Sequence, residues 1–448
     1  MKISIYIIAI TTLLLGDITI KDAWRRVEKV SNSLQASQDD LKRSQLKKES
    51  AESINYPSIS VTASYTRLNA PIGIDVSNIS SVINPIISSI GGKTIPSQID
   101  FLGRDVALAD LQLLYPLYTG GKIDAAQDAY SAKVDEAVAT QRLERDKAFL
   151  KLIKLYYGVV MMESLYETNV EAQKALQLHY YYAKKLKEQG QIAQVELLNA
   201  KVKLDTAKIE TTKSKHQLEI VKLALYDLIK LKEQPKSPLF VSSKVLNKNL
   251  YSNRALGSYA GIELLDAKSK QASAMVDVEK SAWYPQVVGY ANANLYKGNS
   301  PLEEMAPEWM VGVSMKFDIF AKKDRSKEIE AAKLLHSKVE LLKAQAQDDL
   351  KLGIEKTYNE MKLYRDEYNS LSSSIQLAQE NYKLRSISFR EGLSTSVEVV
   401  DAQLFLSGAK TKRLNAAYNY IKKLAFLSVL SGDRDSFFKF ERLSRGIR

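Results

Sequence analysis

Residues 188–200 read EQGQIAQVELLNA, and residues 390–402 read REGLSTSVEVVDA. Gly190 stands over Gly392, Val195 over Val397, Glu196 over Glu398 and Ala200 over Ala402, all at an offset of 202 residues. The same offset pairs Tyr115 with Phe317, Leu117 with Ile319, Tyr118 with Phe320, Leu225 with Leu427 and Leu228 with Leu430. One offset held from Tyr115 to Leu228 means that the intervening segment is equally long in two copies, so the chain is duplicated. Upstream, Tyr56-Pro57 matches Tyr284-Pro285 at 228, which leaves about 26 extra residues between Pro57 and Tyr115.

Within each copy the apolar period switches between helix and strand. Residues 19–55 carry a helical pattern that stops before Pro57. Ile59, Val61, Ala63 and Tyr65 alternate with Ser60, Thr62, Ser64 and Thr66, as in a half-buried strand. Strands are expected at about 57–69 and 104–117, a long helix at about 121–189 and a return helix at 195–231. The long helix has no proline and one internal glycine, Gly158. At 1.5 Å per residue it would run roughly 100 Å. Gly190 permits the reversal. The second copy, 253–430, repeats the plan, with a helix at about 253–282, strands at about 285–296 and 308–319, a long helix at about 323–391 and a return helix at 396–430. In the insertion (70–103), Ile79, Val82, Ile83, Ile86, Ile87 and Ile90 recur at helical spacing, broken by Pro85, and are expected to form an enlarged loop or short helix at the outer face. The two short helices of a copy sum to nearly the long one, so the simplest packing stacks them end to end beside it.

The 448 residues hold no cysteine and three histidines, His179, His216 and His336, spaced far apart. That composition excludes disulfide frameworks, thiolate zinc sites and a catalytic thiol, and disfavours a histidine metal site. The net charge of +12 is spread along the chain and interleaved with Glu and Asp, as on solvated helix faces. Met1-Lys2 followed by an uncharged apolar run to Leu15, with Gly16 behind it, reads as a secretory signal over 1–16. No later window offers 18 consecutive apolar residues, so a membrane could be crossed only with strands.

Four strands cannot close a barrel, and an open edge in hydrocarbon costs several kcal/mol per unpaired backbone group. Either the sheet is not in a membrane, or several chains pool their strands. Three chains would supply twelve, within the range of outer-membrane barrels. The return helix points the same way. Leu197, Leu204, Thr211, Leu218 and Leu225, with Ala200, Ala207, Ser214, Val221 and Leu228, form one heptad seam. Val202, Ile209, His216 and Leu223 form a second, so this helix is expected to have neighbours on two sides, as in a ring.

Taken together, the duplicated helix–hairpin–long helix–helix plan, the Tyr-Pro strand openings, Leu117-Tyr118-Thr119-Gly120-Gly121-Lys122 before the long helix and the matching tips after Gly190 and Gly392 resemble the outer-membrane efflux protein family, the TolC-like channel-tunnels. The resemblance covers essentially the whole mature chain. It implies a mainly α protein with a membrane β-barrel: a homotrimer with a twelve-stranded barrel in outer-membrane lipid and a long-helix α-barrel across the periplasm. The segments 232–252 and 431–448 would form an equatorial belt. It implies a passive conduit in a tripartite efflux pump for drugs or other small toxic compounds, docked to a periplasmic adaptor and an inner-membrane transporter, or else the outer-membrane part of a type I secretion system.

At the tip, Glu398 and Asp401 are three apart and share a helix face. A threefold axis would turn them into two acidic rings at the periplasmic gate, favouring cations. The alternative for each is a solvated acid favoured by a helix N-terminus. Glu196 and Asn199 would lie on neighbouring helices and, with Gly190 and Gly392, support the tip and adaptor docking. Some family members restrain this tip with an Arg two residues after the turn glycine and a Tyr three before it. Here Ser394 and Phe389 occupy those places, so the tip is expected to be held differently or more loosely, with these two among its supporting and docking residues.

Thr119-Gly120-Gly121-Lys122 lacks the upstream glycine and following Ser/Thr of a phosphate loop, and no nucleophile or zinc motif is present. No enzyme, cofactor or nucleic-acid partner is expected. The rival of another class is a soluble periplasmic coiled-coil scaffold or adaptor.

Overall fold

The structure, a computed structural model, describes residues 17–242, 248–298, 301, 305, 307–320 and 322–445. The expected signal at 1–16 lies outside them. The strands are β1 (Asp17–Ile18), β2 (Ser58–Arg67), β3 (Ile72–Asp75), β4 (Gln98–Leu102), β5 (Asp105–Tyr118), β6 (Gln234–Pro235), β7 (Gln286–Lys297) and β8 (Trp309–Lys316). The helices are α1 (Ile20–Val30), α2 (Asn32–Glu52), α3 (Ser77–Ser89), α4 (Lys122–Glu188), α5 (Gln194–Ile229), α6 (Lys248–Ser258), α7 (Ala260–Ser281), α8 (Arg325–Arg390), α9 (Ser396–Leu430) and α10 (Asp435–Arg445). The 67-residue α4 and 66-residue α8 are the twin long helices. Among the described residues no helix is long and apolar enough to cross a membrane.

The chain divides into two compact units. One contains Arg43–Val134 and Lys268–Val339. Its main sheet is antiparallel, in the order β2-β5-β7-β8. Register sorts the two faces. Ile59, Leu113, Ala291 and Val311 form one cross-strand row, and Val61, Leu111, Ala293 and Trp309 the next on that face. Ser60, Gln112, Asn292 and Met310, then Thr62, Asp110 and Asn294, occupy the opposite face. The apolar face is bare: Ile59, Val61, Trp309 and Val311 are 66, 63, 69 and 70% exposed. Pro116 has no N–H to donate within the central strand β5, and the register shifts there between Pro116 and Tyr118.

The strand-to-helix turn before α4 requires glycine. Gly120 has φ 64°, and a Cβ on it would fall 2.6 Å from that of Tyr284. At the other end of the sheet, the insertion between β2 and β5 forms the β3–β4 hairpin and α3. Contrary to the sequence expectation, the helix is not broken at Pro85 but runs through it. Pro85 withholds one N–H from an exposed helix, where water can serve the freed carbonyl. The Asn84 amide then pins the following loop, donating to the Ile95 carbonyl at 2.8 Å and accepting its N–H at 2.7 Å.

The other unit holds the described residues up to Lys42, Asp135–Ala267 and the chain from Glu340. Its core gathers the N-terminal segment, the link between the repeats and the C-terminal helix onto the middle of α4. Phe149 is fully buried and meets Trp24, Phe437 and Phe438 edge-on at 5.4, 5.7 and 5.8 Å. The Tyr156 hydroxyl donates to the Ile18 carbonyl at 2.7 Å and accepts the Ser237 N–H at 2.9 Å, beside the β1–β6 pair. Two further expectations are corrected. The N-terminal helical stretch (19–55) is two helices parted at Ser31, whose extended backbone (ψ 113°) caps α1, followed by a 3-10 turn over Ser53–Asn55. The helix expected at 253–282 begins at Lys248 and is parted at Tyr259.

Phe149→Ala should cost about 3–5 kcal/mol, because a large fully buried ring leaves a cavity between fixed elements. Thermal melting followed by circular dichroism checks this. An unchanged midpoint would mean that the aromatic cluster does not stabilise the unit.

Candidate functional site at the helical tips

Two matched turns build the site. Gly190 and Gly392 both adopt left-handed backbone, φ 72° and 74°, after α4 and α8. The Gln191 N–H then returns to the Leu186 carbonyl and the Leu393 N–H to that of Ser388, both at 2.8 Å. These bonds satisfy the helix ends and reverse the chain.

The N-terminus of α9 is tied from three directions. Thr395 accepts the Glu398 N–H at 3.3 Å, while a Glu398 carboxylate oxygen accepts the Thr395 N–H at 3.1 Å, a reciprocal capping box. The same oxygen accepts the Ser394 hydroxyl proton and lies 3.3 Å from the Arg385 guanidinium of α8. The Ser394 bond, the Thr395 bond and Arg385 hold the carboxyl below its ordinary pKa. Glu196, from α5 of the other repeat, accepts the Ser396 N–H at 2.9 Å. One acid from each repeat therefore serves the same helix end, where the dipole favours negative charge. Asp401 is exposed one turn further along, and Asn199 is half-buried one turn past Glu196.

The third tie was not anticipated. His179 of α4 is buried, its Nε2 lies 2.7 Å from the buried Ser396 hydroxyl, and its ring packs 4.5 Å from that of Phe389. Phe389 sits with Ala183, Leu186, Ala200 and Val399 in a small apolar core. Beside it lies a 330 Å³ cavity lined by Tyr182, Tyr382 and Ser386, with Lys383 and Arg390 also lining it. Arg390 stacks over Tyr182 at 5.5 Å. Ser394 and Phe389 thus hold the tip by a capping contact and by packing. The Thr395-x-x-Glu398 spacing was the available sequence signal for the cap. No spacing rule pairs His179 with Ser396, 217 residues away.

Burial pushes the His179 pKa down from 6.5 to about 4. The imidazole is neutral in the packed tip but protonates near 6.5 once released. Its stabilisation is complete above 6.5 and is lost progressively as pH falls towards 4, by up to ~3 kcal/mol. We expect the thermal unfolding midpoint to fall on acidification over this range, and His179→Gln to flatten that fall. An unchanged pH profile in the variant would remove His179 from control of the tip.

The sequence profile of the outer membrane efflux protein family matches residues 24–229 and 253–433. Among solved structures, CusC has a TM-score of 0.78 at 13% identity, covering 93% of this chain and 92% of its own. VceC from Vibrio cholerae has 0.76 at 16% identity, covering 93 and 96%. The CmeC outer membrane channel of Campylobacter jejuni has 0.74 at 16%, covering 96 and 90%. Likeness at such identities is one of fold. No curated protein sequence gives a significant match. The two profile segments cover both repeats, and the chain belongs to the outer membrane efflux protein family, whose place is the outer membrane, spanning into the periplasm.

Proposed function

We propose that three copies of this chain assemble into one conduit, the outer-membrane component of a tripartite efflux pump that passes small toxic compounds from periplasm to exterior. The observation that carries the reading is surface left uncovered in the single chain. The sheet has a bare apolar face and, among the described residues, two unpaired edges, β2 and β8. On α5, Leu204, Leu218 and Leu225 are buried within the chain, while Val195, Val202, Ile209 and Leu223 are exposed at heptad spacing. On α8, Leu335, Leu342, Leu363, Leu377 and Leu384 are exposed at multiples of seven. Such seams fit helix neighbours supplied by other copies.

The tip contacts support a closed resting state opened by a periplasmic adaptor. Docking that draws α8 and α9 from α5 breaks the Glu196–Ser396 bond, which ties α5 to the start of α9. Asp401, exposed and one turn from Glu398, is the acid best suited to face the pore. Glu398 joins it when the cap loosens. In planar bilayers, Asp401→Asn with Glu398→Gln should lower cation-over-anion selectivity and weaken block by multivalent cations. Unchanged selectivity and block would place these acids elsewhere. Cells lacking the chain should become sensitive to small amphiphilic toxicants while protein export persists. Loss of a secreted protein with unaltered sensitivity would favour the secretion reading.

A further inference from the structure

The junction between β8 and α8 carries a charged pocket whose charged residues its twin does not repeat. A 230 Å³ cavity lies between the end of α7, the start of β7, the end of β8 and the first turn of α8. Lys316, Lys323 and Arg325 line it, with Glu279, Asp318 and Glu328 among them. Three cations and three carboxylates make it neutral overall but strongly divided in charge. At the 202-residue offset, Lys316, Asp318, Lys323, Arg325 and Glu328 correspond to Leu114, Pro116, Gly121, Ile123 and Ala126. The charge is therefore an addition to one junction and not a requirement of the strand-to-helix turn.

Its level in the fold identifies the medium. The pocket sits where the bare-faced sheet meets α7 and α8; on the proposed function, with the sheet in lipid and these helices in the periplasm, that is the periplasmic boundary of the membrane. Trp283 and Tyr284 are half-exposed there, Ile319 is 81% exposed and Phe320 is 98% exposed. Aromatic side chains of this kind settle at headgroup level. Arg325 is held in place, donating to the Asp318 carbonyl and lying 5.5 Å from the Trp283 ring and 5.6 Å from the Phe317 ring. The two lysines are held only weakly. Lys316 is 3.9 Å from Asp318 and Lys323 is 3.4 Å from Glu328, both pairs largely in solvent. Exposed pairs of this kind contribute little and exchange readily for a better partner.

We propose that this pocket binds the headgroup of a periplasmic-leaflet phospholipid that carries both a phosphodiester and a primary ammonium, the phosphatidylethanolamine class. Lys316 and Lys323 take the phosphodiester, and Glu279 and Glu328 take the ammonium, whose three N–H donors suit two carboxylates. The exposed rings receive the glycerol and upper acyl carbons. A choline headgroup has no N–H to donate, and a glycerol headgroup has no cation.

The test uses the full-length protein, purified in detergent, delipidated, and titrated separately with phosphatidylethanolamine, phosphatidylcholine and phosphatidylglycerol, with bound lipid counted by native mass spectrometry. The ethanolamine lipid should bind about fivefold more tightly than either other lipid, equivalent to ~1 kcal/mol. Lys316→Gln with Lys323→Gln, and separately Glu279→Gln with Glu328→Gln, should erase the preference. Single Lys316→Gln, at an exposed edge-strand position, serves if a double variant fails to fold. Lys122→Gln at the twin junction should leave the preference intact. Equal binding of ethanolamine and choline lipids, tightest binding of the glycerol lipid, or a preference that survives the pocket substitutions would each overturn the proposal.

Discussion

A peptide group in hydrocarbon must find its hydrogen-bond partner within protein, and this requirement governs the chain. The main sheet of the chain has four strands, an apolar face and, among the described residues, two open edges. The sheet can enter lipid only if its edges are closed by strands from elsewhere. The same dependence recurs in the helices. The return helix α5 buries one seam at home and leaves another bare, so helices and strands call for neighbours together.

Duplication gives the chain two copies of one design, and the differences between them locate function. Both tips turn on a left-handed glycine. Only the second has the capping box, with Glu398 serving its own helix end. The first-copy acid, Glu196, instead accepts the Ser396 N–H at the start of the second tip's helix. At the two places where the resemblance would put an arginine and a tyrosine, Ser394 caps and Phe389 packs, with the buried His179 imidazole beside them. The same comparison isolates the charged pocket beside β8, where Lys316, Asp318 and Arg325 stand at positions that are Leu114, Pro116 and Ile123 in the first copy.

The fold was legible because its periods are long and distinct. Ile59 to Tyr65 alternate over a run that no helix would tolerate, and α4 proceeds without proline for its whole length. Constant offsets then fixed the order of elements. What escaped was set by tertiary contact. Ser31 is no strong helix breaker, and the bend there follows from packing Trp24 and Val27 into the core. Pro85 looked like a break because propensity ignores how cheaply an exposed helix can lose one bond. His179 looked idle because its partner Ser396 lies in the other repeat. Glu398 was legible as a tip acid, but its engagement with Ser394, Thr395 and Arg385 depends on a loop geometry that sequence does not specify.

The most direct measurement is the mass of the purified protein by sedimentation, with and without detergent. A protein mass of three chains in detergent, with aggregation on its removal, is the result the account predicts. A monodisperse single chain that stays in solution without any amphiphile would contradict it, since its sheet would then need neither lipid nor sister strands.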